Sequence, residues 1–190
     1  MRKLKLQMQM TADGFVAGPN GELDWMACPW TADLEQYVTA LTEPVDTIVL
    51  GRQLAEGFIP HWAAVAADPA HEEHWAGRTF TDTPKVVFSR RLTASPWPNT
   101  VLAKGDLVTE ITELKSQPGQ DLITYGGVSL AASLVQHGLV DELHLFVNPT
   151  AIGRGRSIFA ELTAHQPLTL VQATAFDCGI VGLHYAPRRG

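Results

Sequence analysis

The sequence predicts an α/β fold in which a mainly parallel sheet carries antiparallel strands at one edge. Up to Gly138, short strand patterns alternate with helix patterns, as they do in βαβ units. Beyond Gly138, strand patterns follow one another with only turns and one short segment between them. The length of 190 residues fits a single domain over residues 1–190.

The N-terminal part of the chain predicts two strands and a helix. Apolar residues alternate with polar ones over residues 3–10, which is the period of a strand. Thr31 can cap a helix that runs to about Thr42 and ends before Pro44. The β-branched run at residues 47–50 then predicts a buried strand.

The middle of the chain predicts a helix and two further strands. Proline suits the first position of a helix, so Asp68-Pro69 predicts a helix through Trp75. The apolar run at residues 85–88 predicts a buried strand, and residues 99–104 predict another.

The remaining part predicts two helices and four strands. Asp106 can cap a helix that Pro118-Gly119 ends, and Gly126-Gly127 leads into a helix that ends at Gly138. The strands are predicted at residues 121–125, 142–148, about 169–176 and 179–185.

The composition argues against several classes of protein. Fourteen Lys and Arg against twenty Asp and Glu give a net charge of −6, whereas nucleic-acid and membrane-surface binders need a basic surface. No apolar stretch approaches the length of a transmembrane helix. Cys28 and Cys178 are isolated, which fits a reducing, cytoplasmic location and excludes a disulfide scaffold. No metal site is predicted, because His71 and His74 fit a solvated helix face better than a ligand pair.

Three predicted strands end in residues that are suited to binding anions. They are followed by Gly51-Arg52, by Ser89-Arg90-Arg91 and by Gly126-Gly127-Val128. Ligands of open α/β sheets bind beyond the carboxyl ends of the strands, where helix N-termini point N–H groups at them. Taken singly, a Gly-Gly pair is more often a plain turn and an Arg pair is more often solvated. Their joint placement predicts a dinucleotide site, although the G-x-G-x-x-G motif is absent.

An ordered series of short motifs runs through nearly the whole chain. The motifs are Thr11–Gly18, Gly21–Trp25, Ile48–Arg52, Lys85–Ser89, Tyr125–Leu130, Gly138–Leu143 and Pro149–Phe159. The series resembles the dihydrofolate reductase superfamily, specifically the branch similar to the reductase domain of the bifunctional riboflavin-biosynthesis deaminase-reductase. The resemblance implies a dihydrofolate-reductase-like three-layer fold, with a mainly parallel sheet of about eight strands. It also implies a reductase that uses NADPH.

The same resemblance implies which residues hold the cofactor. Those expected beside the adenosine 2′-phosphate are Gly51, Arg52, Gln53, Ser89 and Arg90. Those expected along the pyrophosphate are Gly126, Gly127, Val128 and Ser129. The segment from Asp13 to Gly18, which includes Ala17, is expected over the nicotinamide. Two departures are Gln53, where the family often has Thr, and Ala131, where folate reductases have an aromatic residue.

The resemblance also indicates candidates for the catalytic acid and for substrate binding. Folate reductases place an acid early in the first helix after a Pro-Trp pair, so Pro29-Trp30 indicates Asp33 as the catalytic acid. The Trp-to-Asp spacing is two residues shorter here, and Asp33 is equally suited to complementing the helix dipole. Glu35 and Asp13 are the next candidates. Asp13 can bind substrate or hydrogen-bond its own turn, and Trp25 can line the substrate pocket or belong to the core.

These features predict a reductase that delivers hydride from NADPH to a C=N carbon of a small heterocycle. The candidate substrates are 5-amino-6-(5-phosphoribosylamino)uracil of riboflavin biosynthesis and dihydrofolate or another pterin. A nucleotide-binding module without turnover is the alternative from another class. A homodimer is expected from the apolar residues Leu143, Leu145 and Val147 and from the family's habit. Arg154 and Arg156 flank Gly155 in a predicted turn, where they can meet a substrate phosphate or only water, and water is favoured.

Overall fold

The computed structural model describes residues 1–26 and 29–188, over which eight strands and five helices are found. The strands are β1 (Leu4–Thr11), β2 (Val45–Gly51), β3 (Lys85–Phe88), β4 (Thr100–Ala103), β5 (Asp121–Thr124), β6 (Glu142–Asn148), β7 (Leu168–Ala175) and β8 (Val181–Pro187). The helices are α1 (Ala32–Thr42), α2 (Arg52–Ala67), α3 (His74–Asp82), α4 (Leu107–Ser116) and α5 (Val128–Gln136). Cys28 lies outside the described residues.

The eight strands form one sheet in the order β4-β3-β2-β5-β1-β6-β8-β7. Every neighbouring pair from β4 to β6 is parallel, whereas β6–β8 and β8–β7 are antiparallel. This topology confirms the predicted fold class, a mainly parallel sheet with antiparallel strands from the C-terminal part of the chain.

Helices cover both faces of the sheet, and the alternation along β2 makes the two layers visible. Val49 packs into one core with Ile111 of α4, while its neighbour Ile48 packs into the other with Ile59 of α2 and Phe80 of α3. Consecutive side chains of a strand point to opposite faces, so the two cores lie on opposite sides of the sheet.

Strand β1 has an apolar face and a buried polar face. Leu4, Leu6, Met8 and Met10 belong to the core that contains Ile111. The residues between them are polar, and Lys5 and Gln7 are nevertheless buried. Lys5 donates to the carbonyl oxygen of Leu41 at the end of α1, 3.2 Å away. A central strand that buries polar side chains marks the α1 side of the sheet as a place to look for a ligand site.

The helix predicted from Asp68 through Trp75 is wrong, because residues 68–73 join α2 to α3 and α3 begins only at His74. The Asp68 carboxylate accepts the N–H of Ala70 at 3.0 Å, which stabilises a turn instead of a helix start. Helix α2 was not predicted. It contains Pro60, and a proline inside a helix pattern normally indicates that the helix ends or kinks there.

Of the three residues that motivated the expected homodimer, two are buried and the third, Val147, is partly buried. Leu143 and Leu145 are only 1% and 5% exposed and pack within the chain's own core. The most exposed apolar side chains in this part lie on the edge strand β7, where Leu170 and Val171 are 53% and 55% exposed. The homodimer therefore stays a prediction with a different candidate surface. No helix of residues 1–26 and 29–188 is long and apolar enough to cross a membrane.

Candidate functional site

The carboxyl ends of three neighbouring parallel strands open into a pocket. Strand β2 lies between β3 and β5, and the ends of all three border a cavity of about 510 Å³, called here the strand-end pocket. Its lining residues are Gly51, Arg52, Gln53, Leu54, Phe88, Ser89, Arg90, Arg91, Gly127, Val128, Ser129, Leu130 and Arg156. Eight of the ten predicted cofactor-binding residues are among them, and Ala17 and Gly126 are the two that are not.

Two helices point uncapped N-termini into the strand-end pocket. Helix α2 begins directly after Gly51 and α5 directly after Gly127, and neither helix has a side-chain cap. The N–H groups of each first turn have no partner within their helix and carry partial positive charge. Gly127 has φ +79°, a conformation that other residues adopt at a cost, and a Cβ on Gly51 would lie 3.4 Å from Leu130. Glycine is thus favoured at the start of α5, whereas at Gly51 a Cβ would make only an ordinary contact.

The side chains of the strand-end pocket add positive charge. Four arginines and no carboxylate line it, namely Arg52, Arg90, Arg91 and Arg156. Arg52 forms an ion pair one helical turn along α2, with 2.5 Å between its Nη1 and Glu56 Oε1. Arg156 donates to the hydroxyl of Ser129 in the first turn of α5, at 3.5 Å. An uncharged base or sugar gains little from such a lining, whereas a phosphate gains charge-assisted hydrogen bonds.

Ser89 fixes the turn that carries two of these arginines. It is buried at the end of β3, and its hydroxyl oxygen accepts the N–H groups of Arg91 and Leu92 at 3.2 and 3.1 Å. A hydroxyl that accepts two hydrogen bonds still has its hydrogen to donate. Ser89 therefore both shapes the turn and offers a donor to a ligand.

The segment from Asp13 to Gly18 positions Arg156 at the mouth of the pocket. The N–H of Arg156 donates to the carbonyl oxygen of Ala17, and the N–H of Val16 donates to that of Arg156, both at 2.8 Å. A Cβ on Gly155 would lie 2.3 Å from the Ala17 oxygen, so this close approach requires glycine. Ala17 is buried and acts through this backbone pairing.

Asp13 braces the loop that follows β6. Its carboxylate accepts the hydroxyl of Thr11 at 2.6 Å and the N–H groups of Ile152 and Gly153 at 3.1 and 2.7 Å. The Thr11 hydroxyl and these N–H groups hold the pKa of Asp13 below its usual value. Asp13 is not among the residues that line the strand-end pocket, and its predicted role in binding substrate stays a prediction.

A second cavity lies between α1, α2, α3 and the polar face of β1. It measures about 150 Å³ and is called here the aromatic cavity, because six of its lining residues are aromatic. These are Trp30, Phe58, Trp62, Trp75, Phe80 and Tyr125. The rings of Phe58 and Tyr125 stack with centroids 5.7 Å apart. Burial raises the pKa of Tyr125 far above its usual value, so the phenol is neutral at any physiological pH.

Four polar side chains also line the aromatic cavity, and they are Gln7, Gln9, Glu35 and Glu73. The side-chain oxygen of Gln7 is buried and has no hydrogen-bond partner among the described residues. Such an atom is costly unless a ligand or water satisfies it, so the cavity is suited to a polar, flat molecule.

Asp33 and Glu35 differ in their surroundings, although both lie in the first turn of α1. The Asp33 carboxylate accepts the N–H groups of Leu34 and Asp177, each at 2.9 Å. The adjacent Thr31 hydroxyl and the Asp177 N–H hold the pKa of Asp33 below its usual value. Glu35 lines the aromatic cavity and Asp33 does not. Asp33 as the catalytic acid stays a prediction, and Glu35 becomes the geometrically better candidate.

Sequence reasoning favoured water for Arg156, which lines the strand-end pocket, ranked Glu35 behind Asp33 and missed the aromatic cavity. For Glu35 a signal was present, because Asp33 falls two residues short of the Trp-to-acid spacing of folate reductases, and Glu35 makes up that difference. Trp25 is buried, but it lines neither cavity, and its indole N–H has no hydrogen-bond partner among the described residues.

Comparison with known proteins decides the family, since residues 2–182 match the family model of the RibD C-terminal domain. The chain belongs to this family. Protein YyaP of Bacillus subtilis (strain 168), itself uncharacterized, is 33% identical over 189 residues, which cover 97% of this chain and 94% of YyaP. Riboflavin biosynthesis protein RibD of Corynebacterium ammoniagenes is 29% identical over 170 residues, which cover 82% of this chain and 45% of that protein.

Solved structures with the same fold include RibD-type proteins and a dihydrofolate reductase. The crystal structure of a putative riboflavin biosynthesis protein from Shewanella sp. PV-4 has a TM-score of 0.75 at 21% identity, covering 98% of this chain and 99% of that one. Dihydrofolate reductase from Enterococcus faecalis, solved with NADP(H), has a TM-score of 0.62 at 15% identity, covering 98% and 97%. The resemblance stated from the sequence motifs and the dihydrofolate-reductase-like fold are thereby confirmed.

Proposed function

We propose that this RibD C-terminal domain protein is an NADPH-dependent reductase of a small heterocyclic substrate. The observation that carries the proposal is that a cationic pocket and an aromatic cavity with a carboxylate are both lined by helix α2 and by the connection from β5 to α5. Helix α2 lines the strand-end pocket at Arg52 and the aromatic cavity at Phe58, about two turns further on. Tyr125 lines the cavity, and Gly127 lines the pocket.

The strand-end pocket is suited to the phosphates of NADPH. Its uncapped helix termini match the pyrophosphate, with the N–H groups of Val128 and Ser129 as donors at the start of α5. Its arginines match the 2′-phosphate that distinguishes NADPH from NADH, with Arg52 and Arg90 at adjacent strand ends. When bound, NADPH supplies a hydride to an acceptor carbon.

The aromatic cavity is suited to the acceptor heterocycle. Ring faces such as those of Phe58 and Tyr125 bind a flat ring by stacking, and they exclude water from the hydride path. Gln7 and Gln9 offer amide groups to the ring's polar edge, and the unpartnered oxygen of Gln7 can accept an N–H from it. This arrangement holds the substrate in one orientation, which is the main contribution that a protein makes to hydride transfer.

Reduction of a C=N bond also requires a proton on nitrogen, and a carboxyl group in the cavity can anchor the ring N–H and relay that proton. Glu35 is half-buried in the wall of the aromatic cavity. Asp33, the acid expected from the sequence, instead accepts two backbone N–H groups. We therefore assign the proton-handling role to Glu35 and retain Asp33 as the alternative.

Two substrates are candidates. Membership of the RibD C-terminal domain family favours 5-amino-6-(5-phosphoribosylamino)uracil, since a relative is named as a riboflavin biosynthesis protein. Dihydrofolate or another pterin is the second candidate, favoured by the folate-reductase spacing of Trp30 and Glu35. Ala131, which stands where folate reductases have an aromatic residue, argues against the pterin.

The test is a measurement of NADPH oxidation with each candidate substrate. Turnover of either substrate supports the reductase, and the ratio of the two kcat/KM values identifies the better one. NADPH binding without turnover of any C=N substrate would contradict the proposal and favour a nucleotide-binding module. Loss of NADPH binding altogether would contradict the cofactor assignment as well.

A further inference from the structure

Two histidines and a glutamate form a cluster on the C-terminal strands, outside both cavities. Glu142 and His144 lie on the same face of β6, and His184 of β8 is the cross-strand partner of His144. The two imidazole rings stack with centroids 4.1 Å apart. Glu142 Oε2 lies 3.4 Å from His144 Nε2 and 3.8 Å from His184 Nε2. One carboxylate oxygen thus faces two imidazole nitrogens.

This spacing is close to that of a ligand set around a zinc ion. Ligand atoms at about 2.0–2.1 Å from zinc in tetrahedral geometry lie about 3.3 Å from one another. All three ligand atoms lie within 4.8 Å of one another. Because the two rings are stacked, zinc binding requires one imidazole to turn out of the stack as the ligand atoms contract, so that both nitrogen lone pairs converge on the ion. Two imidazoles and one carboxylate are a common protein ligand set for zinc, with a water completing the four.

Within the part of the chain that the structure describes, hydrogen bonding in the cluster leaves one imidazole nitrogen without a partner and holds the other by a long bond to the carboxylate. His184 Nε2 is buried and has no hydrogen-bond partner among the described residues. The other ring nitrogen of His144, Nδ1, lies 3.2 Å from the hydroxyl of Tyr37 on α1. Because a carboxylate can only accept, Nε2–H of His144 donates to Glu142 Oε2 at 3.4 Å, and Nδ1 accepts the Tyr37 hydroxyl. Zinc binding requires the other tautomer, in which Nε2 presents its lone pair and Nδ1–H donates to the Tyr37 oxygen; such a bond to the second nitrogen is typical of histidine ligands.

The charge nearest the cluster is the ammonium of Lys3, which lies 2.6 Å from Glu142 Oε1. It pairs with the oxygen that faces away from the imidazoles and leaves Oε2 for a ligand. The Lys3 side chain is 58% exposed, so it can move toward solvent when a cation binds. The ammonium of Lys5, the next one, is paired with Asp121 at 3.4 Å.

We infer that Glu142, His144 and His184 form a binding site for one zinc ion. The site goes beyond the proposed function, because its ligands lie on β6 and β8 and line neither cavity. Bound zinc joins the first antiparallel pair of the sheet, and through Tyr37 it contacts α1. Its role is to brace the C-terminal strands against the helix that carries Glu35.

Zinc binding is measured with chelator-stripped protein in competition with a chromogenic zinc chelator. We expect one zinc per wild-type chain and a rise in melting temperature when zinc is present. His184→Gln and His144→Gln should each weaken binding about 100-fold, and Tyr37→Phe about 10-fold. His165→Gln is the control, because His165 is exposed in the loop before β7 and should bind zinc like the wild type.

Two results would overturn the site. The first is absence of stoichiometric zinc binding by the wild type, and the second is unchanged affinity in folded His184→Gln protein. If a variant does not fold, the ring nitrogens of the wild type are observed by NMR. Zinc should then shift the ring resonances of His144 and His184, and shifts confined to other histidines would equally exclude the site. None of these readouts depends on NADPH, so the zinc site and the reductase can fail independently.

Discussion

Replacing Arg52 by Ala should weaken NADPH binding selectively. A charge-assisted hydrogen bond to the 2′-phosphate contributes about 1.5–3 kcal/mol. Arg52 is already paired with Glu56, and an i,i+4 pair on a helix is worth about 0.3–0.5 kcal/mol, which is given up or shared when phosphate binds. The net loss is then about 1–2.5 kcal/mol, which corresponds to about 5- to 70-fold weaker binding of NADPH. NADH lacks the phosphate, and its affinity should change by no more than about twofold.

The assay is a titration of wild type and Arg52→Ala with both cofactors, at low and at high salt. Screening should reduce the preference for NADPH as the salt concentration rises. Arg78→Ala is the matched control, because Arg78 forms the same kind of i,i+4 pair with Asp82 but lies on α3, outside the pocket lining. Equal losses for NADPH and NADH, or an unchanged NADPH affinity, would refute the assignment of Arg52 to the 2′-phosphate.

Three further predictions concern the acid, a glycine and the assembly. Glu35→Gln should lower kcat by about 100-fold with little change in NADPH affinity, whereas Asp33→Asn should retain turnover. If steady-state kinetics show the reverse pattern, the proton-handling role belongs to Asp33. Gly127→Ala should destabilise the protein by about 1–2 kcal/mol in denaturant unfolding, because Gly127 has φ +79°. The control is Gly57→Ala in helix α2, where a new Cβ meets nothing within 4 Å and the free energy of unfolding should rise by about 0.5–1 kcal/mol. A Gly127→Ala protein as stable as the wild type would contradict the prediction. Light scattering should give about 41 kDa for a homodimer of 20.7 kDa chains, and Val171→Lys on the exposed edge strand should shift it to the monomer; a wild-type monomer at all concentrations would exclude the dimer.

The strands were predictable because their signal is local. Alternation along β1 and the β-branched run of β2 follow from burial on one or both faces, and the structure has both strands within a few residues of the predicted bounds. Helix α2 was not predictable in this way, because Pro60 interrupts its pattern while tertiary contacts of Ile59 and Val65 hold it. Local propensity was overridden there by packing.

The two cavities of the candidate site differ in the same way. The lining of the strand-end pocket was largely predictable, because the ends of neighbouring parallel strands must meet at one edge of the sheet. The aromatic cavity was not, because it is assembled from Gln7, Glu35, Phe58 and Tyr125, which lie on separate elements far apart in the sequence. The cluster of Glu142, His144 and His184 likewise depends on an antiparallel pairing that no local pattern specifies.

The central claim is that the strand-end pocket holds NADPH with its reducing end toward the aromatic cavity. A crystal structure of the protein grown with saturating NADPH tests it most directly. We predict that the 2′-phosphate lies within hydrogen-bond distance of Arg52 or Arg90 and that the pyrophosphate lies at the N-terminus of α5. A nucleotide bound elsewhere, or no bound nucleotide at saturating concentration, would contradict the claim.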